Sequence, residues 1–165
     1  SPAQLGRDRE VADREGLNLR TVEGDMRDLS EFANESFDFI FHPVSNLFIH
    51  EIRPVWKEAY RVLRPGGTML SGFMNPVFYL FDWEDLEKGI LNVSMKIPFS
   101  DIDTYGIERL QREDRPAEFG HSLTDQLAGQ MDAGFAIIGL YEDNHTPLKI
   151  SEYIDTYIAT RAIKL

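Results

Sequence analysis

The stretch AYRVLRPGGTMLSGF, residues 59–73, decides the fold. Apolar residues at helical spacing run into Leu-Arg-Pro-Gly-Gly, and this proline and glycine pair ends a helix. An apolar segment follows at once, so a buried strand is predicted from Thr68 to Phe73. Such a helix-to-strand joint is typical of a wound α/β sheet, a fold that holds nucleotide-like ligands. The glycine-rich loop that usually follows the first strand of such a sheet has no counterpart in this sequence.

The segments around the joint continue the alternation of helices and strands. Glu51 to Leu63 is the clearest predicted helix, because its apolar residues cluster on one face. The stretch FDFIF has the pattern of a central strand buried on both faces. The other predicted elements are a helix that stops near Gly16, strands at Leu17–Val22, Phe37–Phe41, Phe135–Tyr141 and Tyr157–Ile163, and a helix from the capping box Ser122-Leu123-Thr124-Asp125 to about Ala133.

Residues 74–121 interrupt this rhythm. They combine an aromatic-rich stretch, FYLFDWEDLEKGILNVSMKIPF, with several charged stretches. We interpret this segment as an insertion that covers one end of the sheet. The whole chain, residues 1–165, is expected to form a single domain, which is the default for this length.

Composition narrows the classes of function. The chain has 17 Lys and Arg residues against 28 Asp and Glu residues, a net charge of -11, and no basic stripe. Nucleic acid and membranes are therefore not expected as partners. The acidity favours a solvated surface over a site for a cationic ligand. Cysteine is absent, which excludes disulfides and thiolate chemistry. No membrane span or signal peptide is evident, so a cytoplasmic location is expected.

The first residues suggest where a helix begins. Ser1 and Pro2 have the pattern of an N-cap followed by the first helical position. Because the chain opens on this cap without a methionine, we expect it to be part of a longer protein.

Three short stretches, in this order, resemble a known family. Gly24-Asp25-Met26, Ser36-Phe37-Asp38 and the stretch YRVLRPGG at residues 60–67 resemble the class I S-adenosylmethionine-dependent methyltransferases. The resemblance extends from Ser1 to about Phe73, and the last two predicted strands fit the closing hairpin of that family. It implies an α/β, Rossmann-like wound sheet that is mostly parallel with an antiparallel C-terminal strand. It also implies S-adenosylmethionine as the cofactor.

The resemblance also assigns roles to individual residues. Asp25 would accept a hydrogen bond from the adenine amine, and the backbone N–H of Met26 would meet the ring. The loop from His42 to Asn46 would lie beside the methionine end of the donor. The alternatives are that Asp25 only caps a turn and that His42 serves packing and hydrogen bonding.

The glycine loop and the first two strands of the family would precede Ser1. The fold implied by the resemblance is therefore N-terminally incomplete, and the FDFIF strand becomes an edge of the sheet. A bare apolar edge favours pairing with another chain, so a homodimer through this edge is a further expectation.

His50 and Tyr79 are the candidate catalytic bases near the acceptor. For His50 the alternative is an ordinary surface histidine near a helix cap. The aromatic residues around Tyr79 either line a pocket that favours the sulfonium cation or belong to the core. His121 and His145 lack the spacing of metal ligands, so no metal site is predicted.

The leading hypothesis is methyl transfer from S-adenosylmethionine to a small-molecule acceptor. Two alternatives stay open. The chain is either a non-catalytic module that needs a partner or its missing N-terminal part to bind the donor, or a wound sheet for a different nucleotide.

Overall fold

The computed structural model describes residues 2–144 and 147–165, so the predicted N-cap Ser1 lies outside the described residues. The main strands are β1 (Phe37–His42), β2 (Leu63–Met74), β5 (Phe135–Asp143) and β6 (Tyr157–Lys164), and two short strands are β3 (Phe99–Ser100) and β4 (Phe119–Gly120). The helices are α1 (Pro2–Glu15), α2 (Arg53–Val62), α3 (Trp83–Glu87), α4 (Asp101–Tyr105), α5 (Ile107–Arg112) and α6 (Gly129–Ala133). A π-turn at Thr124–Ala128 leads into α6, and 3-10 turns lie at Asn46–Phe48, Pro76–Leu80 and Lys149–Glu152.

The four long strands form one sheet in the spatial order β1-β2-β6-β5. β1 and β2 are parallel, with Ile40 opposite Met69, and β6 is antiparallel to both of its neighbours. β1, β2 and β5 therefore point in one direction and β6 points in the other. The predicted fold class is confirmed: an α/β, Rossmann-like sheet that is mostly parallel and has an antiparallel C-terminal strand.

The core lies between one face of this sheet and the helices α2 and α6. Helix α2 buries the face that carries Val55, Trp56, Ala59 and Val62. Trp56 is fully buried in one cluster with apolar side chains from β2, β5 and β6. Burial of one large apolar side chain contributes about 1.5–3 kcal/mol, so this cluster fixes α2 against the sheet. The predicted helix Glu51–Leu63 is confirmed with slightly shorter bounds.

The Arg-Pro-Gly-Gly joint has a tighter form than predicted. β2 begins at Leu63 and not at Thr68, and its register with β1 shifts between Phe37 and Phe39. Gly66 has a φ of 79°, which favours glycine. A Cβ on Gly67 would lie 2.7 Å from Leu63 Cγ, so only glycine fits where the chain folds back.

Two predictions about the first half of the chain are wrong. The segment Leu17–Val22 forms no strand and is not part of the described sheet. A strand needs a hydrogen-bonded neighbour, and the side chains of Leu17 and Leu19 are 61% and 53% exposed. The second error concerns β1, whose residues Phe39 and Phe41 are 52% and 67% exposed and not buried on both faces. In the described residues β1 pairs only with β2, so it is an edge strand, as the resemblance implied.

The remaining elements follow the predictions closely. α1 ends before Gly16, and the last two strands form as expected. Ser122 caps the next helical segment, because its Oγ accepts a hydrogen bond from the Asp125 amide at 3.1 Å. No helix in the described part of the chain is long and apolar enough to cross a membrane.

Residues 74–121 form a layer of short elements, here called the aromatic layer. The rings of Tyr79 and Phe99 stack with centroids 5.4 Å apart, and Phe78 meets Tyr79 edge-on at 5.8 Å. Asp101, almost fully buried, pairs with Arg115 at 2.9 Å. The aromatic rings therefore contact one another and build a small core of their own.

Candidate functional site

The carboxyl ends of β1 and β2 define the region where a ligand is expected. Ligands of open α/β sheets bind outside the carboxyl ends of the parallel strands. β1 ends at His42 and is followed by a loop with the 3-10 turn Asn46–Phe48. β2 ends at Met74 and leads into the aromatic layer.

Asp25 and Met26 line an open groove of about 670 Å³ between residues 20 and 37. Its apolar wall includes Met26, Leu29 and Phe32, and several carboxylates stand around it. Arg61 of α2 supports the groove. Its guanidinium donates hydrogen bonds to the carbonyls of Leu29 and Phe32 at 2.8 and 2.9 Å. A rigid helix therefore supports the loop that forms the groove.

The Asp25 carboxylate is engaged within its own turn. Its Oδ1 accepts from the Arg27 amide at 2.8 Å, and its Oδ2 accepts from Arg27 Nη2 at 2.6 Å. These hydrogen bonds lower the pKa of Asp25 to about 2, so the side chain is ionised at neutral pH. Both side chains are more than 40% exposed, and exposed pairs contribute little to stability. The turn-capping role is present, and the adenine role stays a prediction that requires Arg27 to move aside.

His42 is half-buried at the end of β1, and its Nε2 atom is shielded from solvent. Its ring meets Trp56 edge-on at 5.6 Å, and its Nε2 has no hydrogen-bond partner. Burial lowers the pKa of His42 to about 4, so the imidazole is neutral at pH 7. Ser71 stands opposite His42 on β2, and its buried hydroxyl also lacks a partner. His42 is thus a neutral group with an unused polar atom at the carboxyl end of β1.

Asn46 is 1% exposed and points into the protein. Its Nδ2 donates to Oε1 of Gln126 at 2.9 Å, and its carbonyl lies 3.2 Å from Nε2 of His121. Its predicted contact with the donor stays a prediction, because the side chain already has a structural role in the loop.

The candidate bases His50 and Tyr79 both lie against the end of the aromatic layer. The exposed His50 ring meets Phe119 edge-on at 5.2 Å. Tyr79 is only 6% exposed, its hydroxyl has no partner, and its ring leaves no room for a Cβ on Gly120. Burial raises the pKa of Tyr79 far above its ordinary value. The phenol therefore stays protonated at neutral pH, whereas His50 is open to solvent.

The structure brings these predicted residues together in three places. Asp25 and Met26 share the groove, His42 and Asn46 share the loop after β1, and His50 and Tyr79 share the neighbourhood of Phe119. The first two places rest on the same core cluster, because Met26 packs against it and His42 contacts Trp56 within it.

Sequence reasoning missed Gln126 and His121 as supports of the loop after β1. Within the described residues, no group of three or more His, Asp or Glu side chains is placed to hold a metal ion, and His145 lies outside them.

Comparisons with known proteins connect the chain with methyltransferases. A family model described as a methyltransferase domain matches residues 1–71. The uncharacterized methyltransferase YbaJ of Bacillus subtilis (strain 168) is 48% identical over 168 residues, which cover 100% of this chain. The match covers 66% of YbaJ, so the chain spans slightly less than two thirds of that relative's length.

Solved structures show the same fold at low sequence identity. An S-adenosylmethionine-dependent methyltransferase from Mesorhizobium loti has a TM-score of 0.67 at 14% identity, and the match covers 99% of this chain and 77% of that one. A geranyl diphosphate methyltransferase in complex with S-adenosylmethionine has a TM-score of 0.62 at 15% identity, covering 100% of this chain and 66% of that one. With the confirmed sheet and the 48% identical relative, these findings lead to one conclusion: the chain has the fold of the class I S-adenosylmethionine-dependent methyltransferases and is related in sequence to a methyltransferase.

Proposed function

We propose that the protein transfers a methyl group from S-adenosylmethionine to a small-molecule acceptor. The observation that carries this proposal is the groove of Asp25 and Met26, which lies in a chain with this fold and rests on the same core as the loop after β1. The activity of the whole protein is part of the proposal, because the chain covers 66% of its 48% identical relative. A cytoplasmic location remains an expectation.

The residues of the groove fit the adenine end of the donor. An ionised carboxylate is a strong acceptor for an exocyclic amine, and the apolar wall of Met26, Leu29 and Phe32 suits a flat aromatic ring. An amine would compete with Arg27 for Asp25, which requires breaking only a largely exposed pair.

The loop from His42 to Asn46 is proposed to bind the methionine end. Two buried contacts at Asn46 hold this loop, so it is ordered before any ligand arrives. S-adenosylmethionine supplies the electrophilic methyl group on its sulfonium. The chain supplies alignment of the two reactants and exclusion of water.

His50 and Tyr79 are proposed to face the acceptor from the aromatic layer. His50 is the better candidate for a base, because its ring is exposed and imidazole is the side chain that most often takes up a proton in catalysis. Tyr79 is better suited to shape the acceptor site, because burial keeps its phenol protonated. The aromatic layer, residues 74–121, is proposed as the cover of this end of the sheet.

A second candidate is a non-catalytic module that binds a partner through β1, as in a homodimer. The free edge of β1 and the exposed Phe39 and Phe41 favour it. Light scattering after size-exclusion separates the two candidates when it is combined with donor binding. A dimer that binds no donor supports the module, and a monomer that binds the donor contradicts it.

The test of the proposed donor site compares two carboxylates in the same groove. Titration with S-adenosylhomocysteine is done with the natural protein, with Asp25→Ala and with Asp28→Ala, since Asp28 also lines the groove. A hydrogen bond to an ionised carboxylate contributes about 1.5–3 kcal/mol, so Asp25→Ala is expected to weaken binding about tenfold or more. Asp28→Ala is expected to bind as the natural protein does. Equal affinities for Asp25→Ala and the natural protein would refute the adenine assignment.

A further inference from the structure

The segment before α6 contains a π-turn whose contacts reach the candidate donor loop. The turn spans Thr124–Ala128, and the amide of Gly129 donates to the carbonyl of Thr124, five residues back. Such turns inside α-helical segments are rare and occur often at functional sites. Gln126 is the one residue of this turn that is almost fully buried.

Helix α2 holds the π-turn in place. The indole Nε1 of Trp56 donates to the carbonyl of Asp125 at 3.0 Å, and Nε of Arg53 donates to its carboxylate at 2.9 Å. A Cβ on Gly129 would lie 2.8 Å from Trp56 Cδ1, so the helical segment sits directly against the indole. The turn therefore has a fixed position relative to α2.

This arrangement aims Gln126 at the loop after β1. Its Oε1 accepts from Nδ2 of Asn46 at 2.9 Å, across 80 residues of sequence, and the two residues are 3% and 1% exposed. His121 contacts the carbonyl of the same asparagine at 3.2 Å. We name Asn46, Gln126 and His121 the amide clamp. Because the amide pair is buried, loosening it would leave polar groups without partners.

We propose that Gln126 is a positioning residue for donor binding, which acts by holding Asn46 and through it the loop of residues 42–50. This inference rests on the proposed function, since it concerns the methionine end of the donor. Gln126 touches no reacting group. It orders the loop in advance, so the loop does not have to be ordered when the donor binds.

The test is a double-mutant cycle read out by donor affinity. The variants Asn46→Ala, Gln126→Ala and the double variant are titrated with S-adenosylhomocysteine beside the natural protein. Each single variant is expected to weaken binding about tenfold. A loop that is no longer held in place has to order one or two side chains when the donor binds, and this ordering lowers the affinity by about that factor. The double variant is expected to bind no more weakly than either single variant, because both remove one interaction.

Thr160→Val is the matched control for general destabilisation. The Thr160 hydroxyl donates to Gln130 at 3.1 Å, and the residue is 1% exposed, but it lies outside the clamp. This variant is expected to lower the melting temperature and to leave the donor affinity unchanged. Gln126→Asn, whose shorter side chain withdraws the acceptor from Asn46, replaces Gln126→Ala in the cycle if Gln126→Ala does not fold.

The outcomes separate the inference from the function on which it rests. If the natural protein binds S-adenosylhomocysteine and both single variants bind it equally well, the positioning role is refuted and the proposed function stands. Losses that add in the double variant, or an equal loss in Thr160→Val, refute it as well. A natural protein that binds no S-adenosylhomocysteine contradicts the proposed function and this inference together.

Discussion

Tyr79 and Tyr105 are two tyrosines of the aromatic layer for which removal of the hydroxyl is expected to have opposite effects. The Tyr79 hydroxyl is buried and has no partner, whereas the Tyr105 hydroxyl donates to Oδ2 of Asp82 at 2.6 Å. Burying a hydroxyl without a hydrogen bond costs roughly 1–3 kcal/mol in protein mutation data. We therefore expect Tyr79→Phe to raise the free energy of unfolding by about 1 kcal/mol.

Tyr105→Phe provides the control with the same chemical change. A hydrogen bond to an ionised group contributes about 1.5–3 kcal/mol. The free energy of unfolding of this variant is therefore expected to be about 2 kcal/mol lower than that of the natural protein. For a chain of 165 residues, 1 kcal/mol corresponds to a shift in melting temperature of about 2–4 °C. Tyr79→Phe is thus expected to melt a few degrees higher than the natural protein, and Tyr105→Phe several degrees lower.

Urea unfolding and calorimetry of the three proteins measure both effects. The urea slopes are expected to agree, since the surface exposed on unfolding does not change. An unchanged or lower melting temperature for Tyr79→Phe would refute the reasoning, because it would mean that the hydroxyl has a stabilising partner. The same variant also tests catalysis: retained methyl transfer excludes Tyr79 as the base and leaves His50.

Three further predictions concern acid stability, packing and support of the groove. Burial lowers the pKa of His42 from 6.5 to about 4, so between these pH values the unfolded chain binds a proton that the folded chain does not. The free energy of unfolding is therefore expected to fall by about 2 kcal/mol from pH 8 to pH 5. In urea unfolding, the free energy of unfolding of His42→Gln should fall by less than that of the natural protein over this range. Gly120→Ala is expected to lower the melting temperature through about 1–3 kcal/mol of overpacking, because a Cβ would lie 2.5 Å from Tyr79 Cγ; calorimetry showing no change would contradict the tight contact. Arg61→Lys cannot reproduce the two hydrogen bonds to the carbonyls of residues 29 and 32, so amide exchange in residues 29–34 should accelerate, and unchanged exchange would exclude Arg61 as the support of the groove.

Much of the fold could be predicted because local sequence signals agreed with the tertiary structure. The joint at residues 59–73 combines a strongly amphipathic helix, a Pro-Gly-Gly turn and an apolar strand, and each signal is independent. The last two strands and the Ser122 cap were predictable for the same reason. The apolar pattern of Leu17–Val22 was insufficient, because strand formation also requires a hydrogen-bonded neighbour and this segment pairs with none of the described strands.

The candidate site was only partly predictable. The resemblance pointed to Asp25, Met26, His42 and Asn46. In the structure Met26 packs against the core cluster, and His42 contacts Trp56 within that cluster. The support of these residues was beyond sequence reasoning. The pairing of Asn46 with Gln126 joins positions 80 residues apart, and it depends on a π-turn that no local sequence pattern predicts.

The groove at Asp25 and the loop after β1 are proposed to bind one donor molecule together. The most direct measurement is a titration of the isotope-labelled protein with S-adenosylhomocysteine, followed by the backbone amide signals of every residue. We expect saturable shifts concentrated at residues 24–27 and 42–50, with the amides of β5 unaffected. Saturable shifts that avoid both segments, or no shifts at millimolar ligand, would contradict it.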